Sequence, residues 1–364
     1  MKNFKFHIAI VFFILLIGIT IFIIKKPTDE STRTHLETPL EKFIWEDMLN
    51  ANKLLKTHYQ TSDTDYSLSE SLGLWLEYAV KSDNRALFDL GYQQLTEYFL
   101  SKQGSIHWRV LLNGEVTESV NAYVDDLRII QALLDATNQW DERTYRKTAK
   151  HISQTLIEKG TYNQYFVDFY DWKYDAKSSA LSTAYLDLKT LERLNHLEWM
   201  DHELYQKMYR IAKQTAVKSN PLFPTRYLID KNEFVYDDKV NMIEQTYTAY
   251  HLGKINMDTN DFLSFLEQEF DTHHKLFGQY DSTTLKPAVT YESPALYGIA
   301  IQYALVEKND SFALKLYDRL QSFRVKQSPF KGAYMDQTTN NTHIFDNLVP
   351  LIAERSLREH ELIR

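Results

Sequence analysis

From residue 39 onward apolar positions recur with the 3.6-residue period of amphipathic helices. The stretch Glu41 to Lys56 places Phe43, Ile44, Met48, Leu54 and Leu55 near one side. The period continues over 67–82, 84–101, 121–138, 142–158, 177–194, 200–217, 239–252, 258–271, 292–306, 309–323 and 343–358, which predicts about twelve helices. Breaks after the second, fourth, sixth, eighth and tenth helices are only a few residues long (SDN, QWDE, LEWM, GKINM, EKN). The alternate breaks are much longer, at 102–120, 159–176, 218–238, 272–291 and 324–342. Short links imply antiparallel neighbours, so the chain reads as stacked helical hairpins with every long loop at one end. That arrangement predicts an all-α fold, an (α/α)6 barrel with the even-numbered helices inside. An α-solenoid with a concave face for a protein partner is the alternative, but no repeat of fixed length is visible.

Ahead of the helices the chain is different in kind. Lys2 and Lys5 precede an unbroken apolar run from Ile8 to Ile24, and Lys25 and Lys26 follow it. Seventeen helical residues span roughly 26 Å, the low end of what crosses a bilayer. No small-residue cleavage signal follows. Residues 1–26 are therefore predicted to be a signal-anchor or transmembrane helix, 27–38 a polar linker, and 39–364 the barrel domain. The expected location is the cell membrane, single-pass with the barrel outside, or secreted if the segment is cleaved; a cytoplasmic barrel is the alternative.

Composition narrows the chemistry. Ten glycines and eight prolines in 364 residues disfavour a many-turned β fold. A net charge of -8 without a basic face argues against a nucleic-acid partner. The chain has no cysteine, which excludes disulfides, thiol catalysis, zinc–thiolate sites and a lipid carried on cysteine. His273–His274 has no partner at metal-ligand spacing, His58, His107 and His343 are isolated, and no phosphate-cradling glycine loop occurs, so no metal and no cofactor is expected.

Acidic groups sit where long connections enter inner helices. Glu70 closes the sequence Ser67-Leu68-Ser69-Glu70, which also reads as a capping box. Asp125 and Asp126 open the helix beginning VDDLRII, where the helix dipole alone would favour them. Tyr236-Asp237-Asp238 precedes the next inner helix but one, and Asp238 suits an N-cap. Each has a bland explanation alone, but all three would enter inner helices from one face. Trp108, Tyr165, Asp168, Arg226 and Tyr291 fall in or beside the same long loops.

These residues resemble glycoside hydrolase family 8. Its S-E-G-x-G-Y-G-M signature, followed by D-R-x-x-F-D, is matched by Ser69-Glu70-Ser71-Leu72-Gly73-Leu74-Trp75 and by Asp83-Asn84-Arg85 through Phe88-Asp89. Its A-S/T-D-A/G-D element is matched by Ala122 to Asp126, with Ile129, Ala132, Ala136 and Trp140 in register, although Val124 replaces the first aspartate. Its Y-D-A-x-R element is matched by Tyr236-Asp237, with Val240 in place of the arginine. The resemblance implies an inverting, endo-acting hydrolase, with Glu70 as general acid, Asp237 as base and Asp126 as the carboxylate paired with the acid. Asp125 is a candidate for the role lost at Val124. Trp108, Tyr165, Asp168, Arg226, Tyr236 and Tyr291 are candidate sugar contacts. The implied partners are a bacterial extracellular polysaccharide as substrate, the membrane through the N-terminal helix, and exopolysaccharide-synthesis machinery. The departures at Val124 and Val240 keep open a barrel that binds polysaccharide without cleaving it.

Overall fold

The structure is a computed structural model that describes residues 36–60, 65–217, 220–327, 329–335 and 341–364. The expected membrane helix over 1–26 lies outside these residues, and among the described residues no helix is long and apolar enough to cross a membrane.

Among the described residues twelve α-helices follow in order. They are α1 (Pro39–Phe43, prolonged by a π turn to Met48), α2 (Ser69–Lys81), α3 (Arg85–Gln94, prolonged by a π turn to Phe99), α4 (Tyr123–Trp140), α5 (Arg143–Lys159), α6 (Leu188–His196), α7 (His202–Ala216), α8 (Met242–Gly253), α9 (Asn260–His273), α10 (Pro294–Val306), α11 (Asp310–Leu320) and α12 (Phe345–Glu359). The even-numbered helices form a closed inner ring, each packed on the next, with α12 returning to α2. This closure is what separates a barrel from a solenoid.

Burial follows the sequence. Helix α10, PALYGIAIQYALV, is apolar on every side and buried from Ala295 to Leu305, as an inner helix touching neighbours all round must be. Helix α5 buries only the stripe Tyr145, Ala149, Ile152, Ser153 and Leu156 and is polar elsewhere, as an outer helix should be. Each of the five tight hairpin turns puts one residue in the left-handed region, namely Asp83, Asp141, Glu198, Asn256 and Lys308, the usual way to end a helix abruptly. In four of them the next helix starts on a side-chain cap, Asn84, Glu142, Asp201 or Asn309.

Where α10 crosses α12 the ring is tightest. A Cβ on Gly298 would stand 2.8 Å from Pro350 N and 2.9 Å from Val349 C, both backbone atoms that cannot swing aside. Gly298→Ala is expected to cost about 1–3 kcal/mol of stability, read as a lower urea midpoint with an unchanged slope.

The long loops are more ordered than an all-α expectation allows. Strand Tyr66–Leu68 pairs with Arg109–Leu111, Ala180–Ser182 with Arg226–Leu228 and that in turn with Glu233–Val235, and Lys239–Asn241 with Gln279–Asp281. Two helix starts shift in consequence. The helix expected from 177 begins at Leu188 behind a strand and a 3-10 turn, Thr183–Tyr185, and that expected from 239 begins at Met242. The first helix ends at Met48 rather than Lys56, because the Asn50 side chain accepts hydrogen bonds from Asn52 N (3.0 Å) and Leu54 N (2.9 Å) and turns the chain.

Candidate active site

The inner helices all start at the loop end, so their positive dipole ends converge there. Between them opens a cleft of about 400 Å³ lined by Glu70, Trp108, Asp125, Arg128, Tyr185, Glu244 and Tyr247, among others.

Glu70 is not engaged in a capping box. The N-cap of α2 is Leu68, which offers no side chain, and the Ser67 hydroxyl is buried without a partner. The carboxyl of Glu70 instead faces the cleft at the helix's second residue. Burial pushes its pKa up to about 7, the charge of Asp125 pushes in the same direction, and Arg128 opposes them. Asp125 accepts from the Ser69 hydroxyl (3.1 Å) and is ion-paired with Arg128 (2.8 Å), which partly offsets a burial that would raise its own pKa. The pair therefore combines a carboxyl that keeps its proton near neutrality with an adjacent carboxylate held by a cation.

Near Glu244, Arg226 donates to Asp237 (3.0 Å). Asp168 accepts from Ser182 N (2.7 Å) and Ser182 Oγ (2.9 Å), which moderates the rise that burial imposes on it. Glu244 is raised by burial and by the charges of Asp237 and Asp168, with Arg226 opposing. Tyr185 lines the same cleft: burial raises its hydroxyl, and the charges of Asp125, Asp168, Glu244 and Glu70 all reach it. Glu70 and Glu244 thus line one space, and Asp237, whose charge acts on Glu244, stands outside its lining.

The other expected site residues fall in three places. Trp108 lines the cleft, its indole N–H donating to Glu118 Oε2 (2.6 Å) and its ring under the guanidinium of Arg109 (4.8 Å). Tyr236 and Tyr291 stand on the rim, 51% and 53% exposed. The Tyr291 ring lies over Gly278, where a Cβ would come within 2.1 Å of Cε2, so Gly278→Ala must displace it. Asp126, Tyr165, Asp168, Arg226 and Asp237 are not in the cleft lining. Successive helix residues point about 100° apart, so of the two adjacent aspartates only one can face the axis with Glu70. Asp125 does, while Asp126 is buried behind it and accepts from Asn121 Nδ2 (2.7 Å), whose Oδ1 accepts from Tyr170 N (2.6 Å) and ties two rim loops together. Tyr165 turns outward, with Lys207 of the outer helix α7 over its ring at 5.7 Å.

Comparison with known proteins places this geometry in context. The chain is 32% identical over 366 residues to the "Putative lipoprotein YdaJ" of Bacillus subtilis (strain 168), covering 98% of this chain and 99% of that protein. The chain belongs to the YdaJ family. No protein-family model matches it. Among solved structures, an alpha-amylase from Clostridium perfringens superposes with a TM-score of 0.80 at 25% identity, over 87% of this chain and 95% of that one. The endoglucanase Cel10 from Klebsiella pneumoniae, a family 8 glycosyl hydrolase, superposes with a TM-score of 0.62 at 14% identity, over 89% of this chain and all of that one (100%). The resemblance to glycoside hydrolase family 8 holds at the level of the fold, and the structural neighbours of this YdaJ-family chain are glycoside hydrolases.

Two departures from the family 8 pattern acquire a structural context. Val240 is buried within a ladder, opposite Tyr280, where an arginine would have no solvent. Val124 borders the cleft one turn before Arg128, a cation that sequence reading passed over. Tyr185, Glu244 and Tyr247 were also missed. A sixfold rule would have flagged Tyr185, since it stands at the entry to α6 as Glu70 does at the entry to α2, and Arg128 follows Asp125 at i+3 on the same face.

Proposed function

We propose that this YdaJ-family chain is a glycoside hydrolase that cleaves a bacterial extracellular polysaccharide with inversion at the anomeric carbon. The observation that carries the reading is a carboxyl poised near pH 7, Glu70, lining a sugar-sized cleft together with Asp125 and Glu244. Cleavage needs one carboxylic acid to protonate the departing oxygen and one carboxylate to activate water on the other face of the ring, roughly 6.5–9.5 Å away. Glu70 is the acid. Asp237, oriented by Arg226, is the base. Asp125 supplies the charge that keeps the proton on Glu70, and Tyr185 is placed to hydrogen-bond the sugar between them. Trp108 offers a face on which the apolar side of a pyranose can stack. Rim residues Tyr236 and Tyr291 extend that surface, as suits an endo-acting enzyme on a long chain. Asp126 contributes by fixing the loops.

The relative's name supports membrane association. A cysteine-linked lipid has no attachment point in this chain, so the apolar run Ile8 to Ile24 is the proposed anchor, which would hold the enzyme beside polymer leaving the cell and near the machinery that makes it.

The test is a polymer screen with the full-length protein, covering α-glucan, β-glucan, xylan and the surface polysaccharide of the producing bacterium, with product anomers read by proton NMR. The reading expects shortened chains from at least one polymer, the initial product carrying the inverted configuration, and none from Asp237→Asn. Retained configuration contradicts the mechanism. Binding without any cleavage favours the second reading, a non-catalytic polysaccharide-binding barrel, to which the loss of an aspartate at Val124 points.

A further inference from the structure

Beneath the cleft the barrel axis holds a second space of about 290 Å³, running from Val124, Arg128 and Tyr247 toward Lys81, Asp135 and Lys254 at the opposite end of the inner helices. The first three residues line both spaces and form the partition between them. Nothing in the hydrolytic mechanism uses the lower one.

Its most informative group is His251 on α8. The residue is 7% exposed, both ring nitrogens are buried without a hydrogen-bond partner among the described residues, and Asp187 Oδ1 is 3.8 Å from Nδ1, too far for a direct bond. Burial lowers its pKa to about 4, so the ring is neutral near pH 7. A neutral imidazole presents one N–H and one bare nitrogen, and leaving both unsatisfied is costly. Its occupant must therefore accept at one nitrogen and donate at the other. An inorganic anion such as sulfate can only accept, and a cation can only take the lone pair; among the described residues no group of three metal-binding side chains occurs. Water and hydroxyl groups do both.

The rest of the lining agrees. Glu77 and Asp187 are balanced by Arg128 and Lys254, so neither sign of ligand charge is favoured, and Gln131 and Gln302 add amides that donate and accept. Tyr247 is stacked on His251 (24° between planes), and with Leu74, Val80 and Ile352 it supplies an apolar side for C–H groups. The volume equals the share of roughly ten liquid waters, enough for one sugar ring to displace several at once.

We infer that the axial cavity is a second ligand site that takes a single neutral pyranose, distinct from the polymer cleft above it. The experiment uses the full-length protein with D-glucose, D-galactose, D-mannose and N-acetyl-D-glucosamine, read by saturation-transfer NMR and by crystal soaks. At least one sugar binds both the wild type and Trp108→Ala, and its affinity falls by about tenfold or more in His251→Phe and in Ala132→Leu, which fills the cavity. A soaked crystal of the unmutated protein shows a ring against His251. The inference is overturned if none of the four sugars binds, if binding survives Ala132→Leu but is lost in Trp108→Ala, or if soaked crystals hold only water in the axis. The soak reads the site even if a variant fails to fold, and it stands apart from whether the cleft cleaves polymer.

Discussion

Glu70→Gln leaves the barrel folded and lowers hydrolysis by about a thousandfold or more, within the range that a positioned general acid contributes. The amide keeps the shape of the side chain but has no proton to give the leaving oxygen. The same substitution carries a signature independent of any substrate. The folded-state pKa of Glu70, about 7, lies above its ordinary 4.5, so the native protein still holds a proton that the unfolded chain has released between those values. The stability tied to that proton is fully present below about pH 4.5 and is lost as pH rises through about 7. Glutamine cannot ionise, so the variant escapes the loss and gains stability relative to the wild type as pH rises through about 7, by up to about 3 kcal/mol. Urea denaturation at mildly acidic and mildly alkaline pH checks this. Equal stability differences at both would mean that Glu70 titrates as an ordinary surface carboxylate.

Arg128→Met has the largest expected effect on the fold. Arg128 and Asp125 expose only 12% and 10% of their side chains, and removing one member of a buried pair strands the charge of the other. The expected cost is about 3–5 kcal/mol, most of it recovered in the double variant Asp125→Asn/Arg128→Met, which leaves no charge behind. Titration separates the two members. Arg128 opposes the rise of the Glu70 pKa, so Arg128→Met moves it further up, whereas Asp125→Asn removes a charge that raises it and moves it down. A double variant no more stable than Arg128→Met would show that the loss comes from packing of the long side chain rather than from the stranded carboxylate.

Helix count, hairpin order and the inner–outer alternation were legible because each rests on local signals: the 3.6-residue period, short polar turns, and the contrast between α10, apolar all round, and α5, apolar on one stripe. The rim ladders were not, since pairs such as Ser182 with Arg226 join residues far apart in the chain whose strands are only three residues long. Those ladders moved the starts of α6 and α8. In the site, a carboxylate at a helix entry could be read from sequence, but which of Asp125 and Asp126 faces the axis depends on helix phase to within a third of a turn. Asp126 was assigned to Glu70 on motif position, yet the geometry gives that neighbour as Asp125. Arg128 and Tyr185 carry no motif, and their meaning appears only when the ring closes and brings α2, α4, α6 and α8 to one centre.

General-acid catalysis here depends most on a proton held by Glu70 near neutrality because of where it sits. Carbon-13 NMR of protein labelled at the glutamate side-chain carboxyl, titrated across neutral pH, tests this without knowledge of the substrate. One resonance should titrate near 7, be missing from Glu70→Gln, and move to lower pH in Asp125→Asn. A Glu70 resonance titrating near its ordinary value, about 4.5, or indifferent to Asp125→Asn, would contradict it.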